Sequence, residues 1–323
     1  LSAIIVIIIL NLVKLIFHTL VNYYFKNYNV CLLFQDLKYK FIFKVNIIQY
    51  EIKMENVNYS EIDPNHIVDI KTIQSSAIKV LVEALKEILN DANLIIDDTG
   101  IKLIAMDSTH TVLIHMKLEA DKFEYFYCKE RIIAGINMLN LFKLIKTMSN
   151  SDTLTIFINK NDINKLGIKI NNHEKNTQTI YKLNLLDIPE EDITIPPAEF
   201  ETELTLPSSD FQKLIRDMIN IGENTEIKSI GSTLTFNCDG DFANQSTLLG
   251  ETQNGLQFKQ NTSPEYLVQG VFSLKYLILF TKCTNLCNQI QLYIKNDYPL
   301  IIQYTIASLG IIKLCLAPNT DLN

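Results

Sequence analysis

Ser75-Ser76-Ala77-Ile78-Lys79-Val80-Leu81-Val82-Glu83-Ala84-Leu85-Lys86 and Ser208-Ser209-Asp210-Phe211-Gln212-Lys213-Leu214-Ile215-Arg216 are the two stretches on which the fold turns. Slid over one another, they superpose apolar residues at Leu81/Leu214, Val82/Ile215, Leu85/Met218 and Ile88/Ile221. Steps of three, four and seven put those side chains on one stripe of an α-helix, and the leading serines read as N-caps. A second match of about the same offset begins at Gly135 and Gly270 and sets 138–148 against 273–283, with Leu139/Leu274, Phe142/Leu277 and Ile145/Phe280 expected in the core. Around these helices lie strand-length runs rich in β-branched residues: 101–106, 111–118, 153–158, 233–237, 289–294, 300–306 and 311–316. The unit of helix, strands, helix, strands is therefore used twice, an α+β architecture built by internal duplication. Three segments follow: a first domain at 66–182, a connection at 183–199 and a second domain at 200–319.

The connection, Leu185-Leu186-Asp187-Ile188-Pro189-Glu190-Glu191-Asp192-Ile193-Thr194-Ile195-Pro196-Pro197, is acidic and broken by proline, so it cannot carry a strand ladder. Ile193 and Ile195 are large apolar side chains with no place in either core, which points to a docking role. Residues 1–53 differ in character. They are almost wholly apolar to Tyr24 and rich in Ile, Asn, Lys, Tyr and Phe. A membrane anchor and an upstream extension outside the fold are the two readings, and the polar start at Met54 favours the extension.

Of 323 residues, 47% are hydrophobic, with only 10 Gly and 8 Pro, so the chain has material for at least one sizeable core. Six cysteines without a C-x-x-C pair do not make a disulfide framework and point to a reducing compartment. The net charge is −7, and becomes −11 without residues 1–53. That excludes a generally basic nucleic-acid binder, yet the cations are segregated. Lys79 and Lys86, Lys143 and Lys146, Lys213 and Arg216, and Lys275 and Lys282 lie at helical spacings away from the apolar stripes of the four helices. Such a layer suits sequence-blind phosphate contact.

Catalytic chemistry has no foothold. No Gly precedes Lys, and G-x-G-x-x-G is absent. His110 and His115, five apart in a strand, fall on opposite faces, and Cys283 and Cys287 lack a second ligand pair for zinc. Asp97-Asp98-Thr99-Gly100 reads as a hairpin turn. The expectation is no enzyme, no metal and no cofactor.

From Ile73 to Pro318 the chain resembles the proliferating cell nuclear antigen (PCNA) family of DNA sliding clamps. The resemblance rests on the first helix, Met106-Asp107-Ser108-Thr109-His110, Asn172-His173-Glu174-Lys175, the Leu-Leu-Asp linker ending in Ile193-Thr194-Ile195-Pro196, Phe280-Thr281-Lys282, Tyr298-Pro299-Leu300 and Leu316-Ala317-Pro318. It implies a homotrimeric, head-to-tail ring with helices lining the bore, a processivity factor opened by a clamp loader and bound to double-stranded DNA. It adds Lys175 to the eight helical cations as a candidate DNA contact. It implies a pocket for hydrophobic-aromatic peptide motifs of DNA polymerase and other partners at Met106, His110, Leu113, Ile193, Ile195, Pro196, Pro299, Leu316, Ala317 and Pro318. The Ala-Pro tail backbone is expected to be free to pair an incoming strand. Subunits are expected to join through 174–182 and 242–252. Where many eukaryotic family members carry a modified lysine, Gly231 stands here, with Lys228 nearest. The implied location is the nucleus, or a viral replication site. A checkpoint-type or decoy clamp is the alternative, as is a membrane-tethered scaffold if 1–53 is translated.

Overall fold

The computed structural model describes residues 63–190, 193, 198–261 and 268–319. The expectations for residues 1–53, Ile195 and Pro196 lie outside them, and no helix among the described residues is long and apolar enough to cross a membrane.

The first repeat runs β1 (His66–Thr72), α1 (Ser75–Ile88), β2 (Asp91–Asp97), β3 (Gly100–Met106), β4 (Val112–Glu119), β5 (Tyr125–Cys128), β6 (Ile132–Asn137), α2 (Met138–Ile145), β7 (Thr153–Asn159), β8 (Asp162–Asn172) and β9 (Thr177–Asn184). The second copies it element for element: β10 (Thr202–Pro207), α3 (Ser208–Met218), β11 (Asn224–Ile230), β12 (Thr233–Asp239), β13 (Asn244–Gly250), β14 (Gln257–Asn261), β15 (Val268–Ser273), α4 (Leu274–Phe280), β16 (Gln289–Ile294), β17 (Leu300–Ile306) and β18 (Gly310–Leu316).

The stripes of α1 and α3 are as the spacing requires: Leu81, Val82, Leu85, Leu214, Ile215 and Met218 are all buried. Each such side chain contributes about 1.5–3 kcal/mol. The leading serines do not cap. Gln74 and Pro207 hold the cap positions, and neither makes a side-chain cap bond. The hydroxyls reach across instead, Ser75 Oγ to the Ser149 carbonyl at 3.2 Å and Ser208 Oγ to the Cys287 carbonyl at 2.6 Å. Each thereby ties the first helix of its repeat to the segment after the second.

The match at the second helix pair needs correction by one residue. Asn93 lies opposite Gly135, and its counterpart Glu226 lies opposite Val271, so Gly135 corresponds to Val271 and not to Gly270. Met138 and Leu274 then share a role: both amides bond back to the residue just before a strand, Asn90 before β2 and Glu223 before β11. Met138, Leu141 and Ile145 are buried, whereas Leu139, expected in the core, is 48% exposed. Asn137 caps α2 through a bond accepted from the Asn140 amide at 2.9 Å.

Three sheets result, ordered β5-β1-β7-β8-β9, β14-β10-β16-β17-β18-β4-β3-β2-β6 and β13-β12-β11-β15. The nine-stranded sheet crosses from one repeat to the other where β18 pairs antiparallel with β4, Leu316 opposite Val112 and Gly310 opposite Leu118. The helices cover one face, against which Val112, Ile114, Met116 and Leu118 alternate inward. At the β2–β3 hairpin, Gly100 has φ +142° and approaches so closely that a Cβ would lie 1.9 Å from the Leu118 carbonyl oxygen. Asp97 closes that turn by accepting from the Thr99 amide at 2.8 Å and from Lys102 Nζ at 2.8 Å. Partial burial alone would raise its pKa, but those bonds bring it down to about 2.

Candidate nucleic-acid and partner interfaces

The helical cations do not form a uniform layer. Lys143, Lys146, Lys213, Arg216, Lys275 and Lys282 are exposed. Lys79 is half-buried and donates to the Met148 carbonyl at 2.6 Å, while Lys86 pairs with Glu87 and stands 4.9 Å over the Phe142 ring. Glu83 and Glu87 on α1, with Asp210 and Asp217 on α3, dilute the positive face that the cation spacing alone suggested. Lys175 lies on no helix. It sits in the β8–β9 turn, where its amide donates to Asn172 Oδ1 at 2.8 Å.

On the other face of the nine-stranded sheet, one transverse row is set by register. Met106 lies opposite Leu113, Leu113 opposite Cys315, Cys315 opposite Ile301 and Ile301 opposite Tyr293. Directly opposed residues share a face, so this is a single apolar floor. Met106 is 37% exposed at one end. At the other end the Phe200 ring packs against Tyr293 and Tyr298, at 5.3 and 5.6 Å between centroids. Pro299, half-buried, precedes β17 at the same edge.

Leu316, expected in this pocket, is fully buried, because odd and even positions of β18 face opposite ways and Leu316 points at the core with Val112 and Leu300. Cys315 takes its place, its thiol pushed up to about 11 by burial. Neither Cys315 nor Ile301 was among the expected site residues. The tail backbone is not free either: the Ala317 amide donates to the Thr111 carbonyl at 3.0 Å and the Asn319 amide to Val271 at 2.8 Å.

The rim beside Met106 is a turn built around one carboxylate. Asp107 Oδ1 accepts from the amides of Thr111 and Val112 at 2.8 and 2.7 Å, and Oδ2 accepts from the Thr109 amide at 3.1 Å and from its hydroxyl. Burial would raise the Asp107 pKa, but the Thr109 hydroxyl and the amides of Val112, Thr109 and Thr111 together lower it. His110 therefore lies in this turn at φ +54°, not in a strand, with Nδ1 3.4 Å from Met106 Sδ. His115 is on the sheet's outer face, kept neutral more readily by burial and by Lys313 and Lys117.

The start of the connection is pinned to the first repeat. Leu186 and Gly135 form an isolated bridge, with the Leu186 amide donating to the Gly135 carbonyl at 2.8 Å. Asn93 Nδ2 donates to the carbonyls of Ile188 and Pro189 at 3.1 and 3.4 Å, and Arg131 pairs with Glu190 at 2.7 Å. Ile193 is half-buried. Gly231 occupies the β11–β12 turn at φ +57°, and Lys228 is paired with Glu226 at 2.6 Å. Cys283 is buried, its thiol raised to about 12 by that burial and by neighbouring Cys287. Among the described residues no group of three or more His, Cys, Asp or Glu is placed to hold a metal ion.

A duplicated α+β arrangement in which, among the described residues, four helices pack against antiparallel sheets is that of a sliding-clamp subunit. Residues 67–192 match the N-terminal domain of proliferating cell nuclear antigen, and residues 194–319 match its C-terminal domain. The chain belongs to that family, whose members act on DNA with polymerases without being enzymes. It is 36% identical over 260 residues to a probable DNA polymerase sliding clamp of Paramecium bursaria Chlorella virus 1, covering 79% of this chain and 98% of that protein. It is 31% identical over 248 residues to the proliferating cell nuclear antigen of Chaetomium thermophilum, covering 76% and 95%.

Proposed function

We propose that three copies close head to tail into a ring around duplex DNA and tether polymerases and other replication or repair proteins to it. The observation that carries this reading is the strand join inside the chain. β18, the last strand of the second repeat, pairs with β4 of the first. Their counterparts are β9 and β13, and each is left as an open edge. Open edges of this length demand cover. Ile180 on β9 is 50% exposed, and Leu248 and Phe242 on or beside β13 are 66% and 77% exposed. Repeating the β18–β4 join between chains covers both edges, and a heterologous contact of this kind gives a ring when its rotation closes.

The repeat also supplies a register. Leu300 opposite Leu316 repeats Leu166 opposite Leu183, and Thr233 opposite Gly250 repeats Gly100 opposite Glu119. Carried over, the internal register sets Thr179 opposite Thr247 and Tyr181 opposite Gln245.

In the ring the helices line the bore, and Lys143, Lys146, Lys213, Arg216, Lys275 and Lys282 meet phosphates without reading bases. Lys79 ties α1 to the segment after α2, Lys86 stands over Phe142 of α2, and both add to that field at shorter reach. The apolar row from Met106 to Tyr293, walled by Ile193 and the rest of the connection, takes hydrophobic-aromatic peptide motifs. A clamp loader opens the ring, and the site of action is the nucleus or a viral replication site.

The test is topological. Protein loaded on nicked circular DNA by a clamp loader should stay bound through a high-salt wash and leave when the circle is cut. Equal retention on cut and closed DNA would mean direct adhesion and end the ring reading.

A further inference from the structure

We propose that the tip of the β8–β9 hairpin, residues 173–176, docks on the first turn of α3 in the neighbouring subunit, with Lys175 paired to Asp210 across the joint. This rests on the ring reading. Within the chain, the β17–β18 turn does the equivalent thing to α1: the amide and hydroxyl of Ser308 both donate to Gln74 Oε1, at 3.1 and 3.0 Å. The β8–β9 hairpin corresponds to β17–β18 and α3 to α1, so ring closure brings this second pair together as the first is brought together inside the chain.

The two hairpins differ in a way that sets the chemistry. Asn172 opposite Thr177 corresponds to Ile306 opposite Gly310. Three residues join the latter pair and four the former, so the β8–β9 tip is one residue longer. It is also stiff. Asn172 Oδ1 caps the Lys175 amide at 2.8 Å, Asn172 Nδ2 donates to Asp152 Oδ1 at 2.6 Å, and Asp152 Oδ2 takes the Ser149 amide at 2.8 Å. His173, Glu174, Lys175 and Asn176 are all exposed on this support.

The receiving helix has changed to match. Pro207 stands where Gln74 stands in the first repeat, which removes the amide acceptor that Ser308 uses. In its place α3 offers the exposed carboxylate of Asp210 in its first turn, touched only weakly by the Ser209 hydroxyl at 3.3 Å. A cation from the longer hairpin replaces the neutral hydroxyl, and Lys175 becomes a subunit contact in place of a DNA contact.

The experiment is a charge swap in the full chain, read as subunit dissociation by dilution in mass photometry. Lys175→Glu and Asp210→Lys should each loosen the trimer roughly fivefold, and the double variant should recover most of the loss. Lys175→Glu should leave the salt slope of DNA retention unchanged. A trimeric wild type with no effect of either change, or with no recovery in the double variant, overturns the hairpin contact. A wild type that never trimerises overturns the ring reading itself.

Discussion

Leu316 lies directly opposite Val112, with about two hundred residues of chain between them, and this pairing makes one sheet of two repeats. In the proposed ring the same join is repeated between chains through β9 and β13. Proline at Thr179 or Ser246 removes an amide donor from either edge. Each substitution should shift the assembly toward single subunits in sedimentation velocity while leaving the circular dichroism spectrum intact. Unchanged assembly in both variants would exclude this pairing.

Exposed cations and tethered ones should separate in their effects. Replacing Lys143, Lys146, Arg216 and Lys282 by Ala should weaken DNA retention equally for any sequence, lowering the log-log salt slope by roughly one unit for each phosphate no longer neutralised. Lys79→Ala should instead act mainly on stability, by about 1 kcal/mol for the missing bond to the Met148 carbonyl. Loss of retention that depends on DNA sequence would mean base readout.

The floor from Met106 to Tyr293 should behave as one surface. Met106→Ser should cost a polymerase-derived peptide about tenfold in affinity, in line with roughly 1.5 kcal/mol for an apolar side chain that the peptide covers. Calorimetry on intact assemblies reads this directly, and an unchanged affinity would locate the peptide elsewhere.

Asp107 supplies a pH signature. Its folded pKa lies below the ordinary 3.8, so the carboxylate stabilises the turn fully above the unfolded value and progressively less as pH falls through the folded one. Acid unfolding below pH 4 should therefore be steeper in the wild type than in Asp107→Asn. The same variant should loosen the rim that holds Met106 and His110, weakening the peptide at neutral pH. Parallel acid transitions in the two proteins would remove Asp107 from this role.

Sequence periodicity carried the α1 and α3 stripes because a helix registers burial every three or four residues along one local segment. It failed by one residue at α2 and α4, where matched glycines suggested an alignment that cross-strand pairing does not respect. The pocket residues Met106, Leu113 and Leu316 came from the family resemblance and not from periodicity, and on the face of Met106 and Leu113 the structure puts Cys315 rather than Leu316. Strand alternation distinguishes those two only when the facing strand is known, and here that strand is β4 of the other repeat. The serine hydroxyls looked like caps since capping is local, whereas their partners, Ser149 and Cys287, are more than seventy residues away.

Ring closure is tested most directly by the native mass of the full chain in solution across a dilution series. A single species of three subunits, falling to single subunits without a stable dimer as concentration drops, is the expected result. A particle that remains a monomer or a closed dimer at every concentration would leave β9 and β13 without partners and contradict the ring.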